Sequence, residues 1–288
     1  MKPTKYLLAS LAIFSNLAFA TSPYISGDPV AAGDVNSVGA TVSKKLKDAG
    51  FEVIGTYHPK GIEDSGVVVA TDKGMLDAIA KTGGDAIVGA AIRVGFDARG
   101  QVSYMNPEYW YRAYLRKNYS ANENAVKALE AHLKAALGAG KSFGGDVDES
   151  DLAKYHYMFG MEYFDDDRDL ATHDSFEKAV DAVRANLAKG VADTSEVYEV
   201  VMPERKIAVF GVAMNNPKMG DGMWVSAISG KSNIAALPYE VFVDGNKTEA
   251  LYGRYRIALS WPSLTMVSFG RIMSTPGDIK STLEQVAK

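Results

Sequence analysis

Residues 208 to 224 read AVFGVAMNNPKMGDGMW and bring Met214, Met219 and Met223 into one short span. Thioether sulfurs are soft ligands that select Cu(I), so a copper-handling protein is one reading of this stretch. Methionine as an adaptable core filler is the commoner use. The four histidines, His58, His132, His156 and His173, show no paired i, i+4 spacing or other zinc pattern. Asp165-Asp166-Asp167-Arg168-Asp169 offers acids at the first, third and fifth positions of a calcium loop. Leu170 stands where that loop needs its turn glycine and Phe176 where it needs a bidentate Glu, so a solvated acidic loop is the expectation. Gly140-Lys141-Ser142-Phe143-Gly144 matches a hydrolase elbow literally and begins like the end of a phosphate loop. Both motifs require a strand before and a helix after, whereas this one follows a helical pattern and runs into acidic residues. No metal and no cofactor are therefore expected. Tyr109-Trp110-Tyr111, followed by Tyr114, would make an aromatic platform for a sugar or another flat ligand. No nucleophile, base and orienting acid stand together, so a hydrolytic enzyme would need dispersed catalytic residues.

These residues must be held by elements whose pattern is legible. Asp34 precedes Val35, Val38, Val42 and Leu46 at helical spacing, and Gly50 closes that helix. Phe51 to Tyr57 and Gly66 to Ala70 read as strands, Thr71-Asp72 opens a short helix, and Asp85 to Phe96 reads as one long apolar strand. A turn at Asp97 to Gly100 leads to a strand at Gln101 to Met105, and Asn122 to Leu137 is an amphipathic helix. Further on, Tyr155 to Tyr163 alternates like a strand and Ser175 caps a helix. Glu196 to Val201, Lys206 to Val212 and Leu237 to Val243 read as strands. Thr248 to Arg256 is expected as a returning strand after the turn Asp244 to Lys247, and Thr275-Pro276 starts a last helix. A helix starting at Asn216-Pro217 would set Met219, Met223 and Ala227 on one face and make the methionines core.

The bulk properties bound the answer. Lys2 and Lys5, the apolar run Leu7 to Phe14, and Ala18-Phe19-Ala20 before Thr21 follow the order of a secretory signal peptide, predicting a leader over 1–20 and a periplasmic or secreted product. No stretch reaches the roughly 20 apolar residues of a membrane span. With no cysteine there is no disulfide and no thiol chemistry. A net charge of −4 argues against nucleic acid as a partner, which needs clustered Lys and Arg. At 288 residues the chain exceeds the usual single-domain size of roughly 100 to 150. The Gly- and Asp-rich segment 138–151 reads as a linker, which predicts an α+β protein with domains at 21–137 and 152–288. Laying Ile92-Arg93-Val94-Gly95-Phe96-Asp97 over Tyr239-Glu240-Val241-Phe242-Val243-Asp244 matches the turn, strand and helix that follow each. The halves are thus expected to be related, each an antiparallel sheet packed with helices.

Phe210-Gly211, Asn216-Pro217-Lys218, Leu237-Pro238 and Asp244-Gly245 occur in an order that resembles the bacterial family known as domain of unknown function 302, from about Ser175 to Lys288. Val212 to Asn215 intervene here between dipeptides that the family keeps adjacent. The first half keeps the element order without the dipeptides, as a diverged copy would. The resemblance implies a fold and brings no activity with it. It singles out Phe210, Asn216 and Lys218, beside Tyr109, Trp110 and Tyr111, as candidate ligand-binding residues. Two related domains leave a cleft between them, a favoured place for ligands. The expectation is an exported binding or accessory protein whose partner is a small molecule or a protein.

Overall fold

Short polar residues start the helices that flank both sheets. In the computed structural model, which describes residues 19–288, Asp34 accepts from the amides of Asn36 and Ser37 and opens helix Val35–Asp48. Asp72 does the same for Lys73–Thr82 through the Met75 amide, and Ser175 for Phe176–Ala188 through the Lys178 amide. Each cap satisfies amides that the first helical turn leaves without partners. Pro276 sits in the first turn of the last helix, Thr275–Ala287. Residues 1–18 of the expected leader, with Lys2, Lys5, the run 7–14 and Ala18, lie outside the described residues; of its last two residues, which are described, Ala20 pairs with Asp148. Among those described, no helix is long and apolar enough to cross a membrane.

The protein is α+β. Its larger sheet runs Glu52–Tyr57, Ser65–Thr71, Ile92–Asp97, Val102–Met105, Tyr24–Ser26 and Ser142–Phe143. The second runs Thr194–Met202, Ile207–Met214, Tyr239–Asp244, Lys247–Glu249 and Asp169–Thr172. All neighbours are antiparallel, and the first five strands of each sheet follow the same order along the chain. The registers agree as well: Ser65 opposes Asp97 and Val68 opposes Val94, as Ile207 opposes Asp244 and Phe210 opposes Val241. Val94 and Val241 are both fully buried.

Each sheet carries its own helices on one face. On the other it receives a 3-10 segment from the opposite half: Gly230–Ala236 packs on the first sheet and Gly84–Gly89 on the second. Coverage of both faces explains why Val67 to Ala70 and Ile207 to Met214 are buried without alternation. Gly95 makes one of these approaches feasible, because a Cβ there would stand 2.6 Å from Cγ2 of Ile234. The buried residues of both halves belong to one hydrophobic cluster. Segment 138–151 lies along the first half: Ser142–Phe143 pairs with Tyr24 and Ile25, and Val147–Asp148 pairs with Ala20–Thr21.

Four elements differ from the sequence reading. Only Ile92–Asp97 of the expected strand Asp85 to Phe96 is extended; Gly84–Gly89 is a 3-10 helix entered through positive φ at Gly83 and Gly84. Its apolar run marks burial against the other half, which periodicity cannot separate from a strand. Tyr155 to Tyr163 forms turns, because its aromatics go to separate surroundings. The Tyr155 hydroxyl donates to the Ala258 carbonyl, the Tyr157 hydroxyl to the Leu264 carbonyl, and Tyr163 stacks on His156. The returning strand ends at Glu249, and Gly253–Ser260 is a helix buried on nearly every side, which erases its amphipathic period. The helix expected from Asn216 begins at Asp221 and runs to Ala227. Asn216 instead caps a turn, its Oδ1 accepting from the Lys218 and Met219 amides. The helix buries Gly222, Trp224 and Val225, leaving Met219 and Met223 43% and 49% exposed, so these methionines are not core.

Candidate functional site

A charged cluster with no access to solvent fixes the two halves against each other. Arg93 and Glu240 each lie four residues before a turn aspartate, Asp97 and Asp244, on matching strands. They form an ion pair across the junction, with side chains 0% and 1% exposed. Arg256 joins them, its Nε 3.0 Å and Nη2 2.9 Å from the Glu240 carboxylate. Carbonyls of the 3-10 segment take further donors, Arg93 Nε reaching Ala235 at 3.0 Å and Arg256 Nη2 reaching Ala236 at 2.7 Å, while Arg93 Nη2 donates to the Tyr114 hydroxyl and Arg256 Nη1 to the Ser260 hydroxyl. Both guanidiniums also lie over the Trp110 ring, 4.8 Å for Arg93 and 5.0 Å for Arg256 from its centre. Two cations share one carboxylate here, so Glu240 carries the compensation for both.

A second polar contact joins the halves. Asp221 is buried and accepts from the Tyr57 hydroxyl at 2.6 Å, from the Met214 amide at 3.2 Å and from the Trp224 indole at 3.3 Å. Loss of hydration raises its carboxyl to about 6 despite the three donors. Burial and the nearby Asp221 carboxylate push the Tyr57 hydroxyl well above its ordinary value, so it remains a donor.

Beside this junction lies an open cleft of about 350 Å³. The first sheet contributes Phe96, Asp97, Gln101 and Ser103, and the partner 3-10 segment contributes Lys231 and Ser232. Phe143 of segment 138–151 adds an aromatic wall and stays half-buried against Tyr24, at 5.6 Å between ring centres. The charges at the rim are internally matched. Lys231 Nζ lies 3.0 Å from Asp64 and holds that carboxyl below its usual range, and Arg99 pairs with Asp97 at 2.6 Å. The Ser65 and Ser232 hydroxyls donate to Asp64 and Asn233, which leaves for a ligand the Ser26 and Ser103 hydroxyls, the Gln101 amide and the face of an aromatic ring.

The second sheet has an equivalent cleft, and the chain itself fills it. By register, Asp244 stands where Asp97 does and Glu249 where Ser103 does; Asp85 and Ser232 each stand seven residues before the following strand. Arg168 inserts among these acids, 3.0 Å from both Asp85 and Glu249, and Arg116 reaches Asp85 at 2.8 Å. Phe164 lies under Arg116, 3.8 Å from guanidinium carbon to ring centre. Burial raises Glu249 to about 6 against the pull of Arg168, and raises Asp244, with Asp85 adding to the effect.

The sequence-derived candidates are dispersed. Tyr109, Trp110 and Tyr111, on helix Pro107–Leu115, are fully buried and donate to the Leu259, Pro23 and Gly89 carbonyls at 2.8, 2.8 and 2.7 Å. Phe210 is buried in the second sheet, while Asn216 and Lys218 lie together in a surface turn with neither aromatic group. Met214 is buried and Met219 and Met223 are exposed, so the three do not share one environment. Among the described residues no cluster of three His, Asp or Glu is arranged to hold a metal ion. The cleft residues went unnoticed because they come from five separate segments. The Arg93–Glu240 pair had a signal, namely opposite charges at one position of two strands that are apolar up to their closing aspartates. No protein-family model matches this chain, and comparison with curated proteins and with solved structures finds no significant similarity.

Proposed function

We propose that the chain is an exported binding protein made of two diverged copies of one domain, which takes a small, neutral, hydroxyl- or amide-bearing ligand into the open cleft. One observation carries the reading: of two equivalent clefts, the second is filled by Arg168 and Phe164, while the first keeps about 350 Å³ with the Ser26 and Ser103 hydroxyls and the Gln101 amide on its lining. Pockets of this size, polar at a few points and walled by aromatic groups, are usual for small ligands. Matched strand order and register support duplication, because descent preserves topology after identity has gone. The order of charge, apolar run and small residues ahead of Thr21 supports export to the periplasm or beyond. The Leu237-Pro238 entry to a strand and the Asp244-Gly245 hairpin support kinship of the second half with domain of unknown function 302.

Native mass spectrometry of protein purified from the exporting cell tests this. A retained small molecule is expected, and it should be lost in Ser232→Trp, where an indole would occupy the cleft from an exposed position. Wild-type protein that carries nothing, and that no panel of sugars, polyols or small amides stabilises against heat, would refute the proposal.

A further inference from the structure

The segment that closes the second cleft leaves a hollow on its outer side. This hollow measures about 560 Å³ and is bounded by the segment itself, by Arg116-Lys117 and by helix Gly253–Ser260. Aromatic rings make its walls. Tyr155 and Phe164 meet Tyr255 edge-on, with centres 6.1 and 5.9 Å apart, and Tyr163 lies half-exposed in a stack on His156 at 4.5 Å. The Tyr155 hydroxyl is bound to the Ala258 carbonyl, which locks that ring in place.

The charges around the hollow are divided between spent and free. Arg116 is committed to Asp85, and Asp165 is held by Arg168 at 3.0 Å. Asp166 accepts from the Tyr163 amide at 3.0 Å. Lys117 and Lys154 are exposed, and neither has a carboxylate within ion-pair distance among the described residues. Asp166 has no cationic partner among the described residues, so on a chain with a net charge of −4 the hollow presents two unpaired lysines against one uncompensated carboxylate, next to aromatic faces. Arg116, with φ of +47°, holds a backbone conformation that costs energy for any residue with a side chain, and it is this turn that brings Lys117 to the rim.

We propose that this hollow is a second binding site, independent of the polar cleft, for a planar aromatic ligand bearing one negative charge, of the aromatic carboxylate class. The rings supply stacking surface and the two lysines supply the counter-charge, a pairing that discriminates against both aromatic cations and saturated acids.

Calorimetric titration of the full chain with 2-naphthoate tests it. Saturable one-to-one binding is expected, weakening with added salt. Lys117→Glu with Lys154→Glu should weaken it about tenfold or more, as should Tyr163→Ala, and 2-naphthylmethylammonium and cyclohexanecarboxylate should bind about tenfold more weakly than naphthoate. Circular dichroism confirms the fold of each variant, and Lys117→Gln with Lys154→Gln replaces the reversal if that variant misfolds. The polar-cleft variant Ser232→Trp should bind naphthoate unchanged. Absence of saturable binding, equal binding of the ammonium analogue, or indifference to loss of both lysines would overturn the site.

Discussion

Glu240 shows why one buried charge outweighs many exposed ones. The exposed pairs of this protein, such as Lys44–Asp48 and Lys73–Asp77, contribute about 0.3–0.5 kcal/mol each. Removing Glu240 strands two guanidiniums in a dry interior, so Glu240→Ala is expected to cost about 3–5 kcal/mol in chemical denaturation. A loss under about 1 kcal/mol would mean that the carbonyls of Ala235 and Ala236 suffice to hold the cations. Asp221 leads to a pH effect of defined sign. Its folded value, about 6, lies above the ordinary 3.8 of an aspartate, so folding favours the protonated acid. That contribution is complete below about pH 4 and is lost as pH rises through 6; Glu249, also near 6, acts the same way. The carboxyls held low, among them Asp64 and Asp34, act oppositely and only under more acid conditions. The denaturation midpoint should therefore rise as pH falls from 7.5 to 5, and Asp221→Asn should flatten the slope to the part due to the other carboxyls that burial raises, Glu249, Asp244 and Glu196. A wild-type midpoint that falls over this range would contradict the assignment.

At the scale of elements, the chain announces what is locally decided. Asp34, Asp72, Ser175 and Pro276 mark helix starts because capping depends on neighbours in sequence, and these four helices are where the pattern puts them. Gly84–Gly89 and Gly253–Ser260 were misread because their burial is imposed by distant partners, which removes the alternation or period that a reader would use. The cleft was illegible for the same reason, since Phe143, Ser103 and Ser232 share no local motif. Exposure reverses one earlier inference and makes a chemical prediction. Met219, Met223 and Met273 should be oxidised by dilute peroxide well before Met75, Met105 and Met214, read by peptide mass mapping. Equal rates across the two sets would place the surface methionines in the core after all. Segment 155–163 yields another: it has no ladder partners, its Gly160 has φ of +81°, and Phe159 is fully exposed. Segment 138–151, expected as a linker, has strand partners instead. Chymotrypsin under native conditions should cut first after Phe159, and a first cut between Gly138 and Asp151 would show that those short pairings open more readily.

For the whole molecule the question is whether the two sheet-bearing halves unfold as two bodies or one. Duplicated units joined by a flexible segment would give separate transitions, since nothing but the tether would couple them. Here the coupling is reciprocal. Each half lends a 3-10 segment to cover the other's sheet, so separating them would bare one face of both sheets. It would also break the Arg93–Glu240 pair and the Tyr57–Asp221 bond, and leave the Tyr24 and Tyr109 hydroxyls without the Ser260 and Leu259 carbonyls. Each of these hydrogen bonds exchanged for water costs about 0.5–1.5 kcal/mol, so most of the penalty is the apolar surface laid bare, at about 25 cal/mol per Å². The penalty is comparable with the total stability of an ordinary domain, about 5–15 kcal/mol, so neither half should persist alone. Scanning calorimetry is expected to show one transition whose calorimetric and van't Hoff enthalpies agree, and Glu240→Ala should move that whole transition downward. Two resolved peaks, or an isolated 21–137 fragment with the dispersed amide spectrum of a folded domain, would show instead that the junction is a docking surface between independent units.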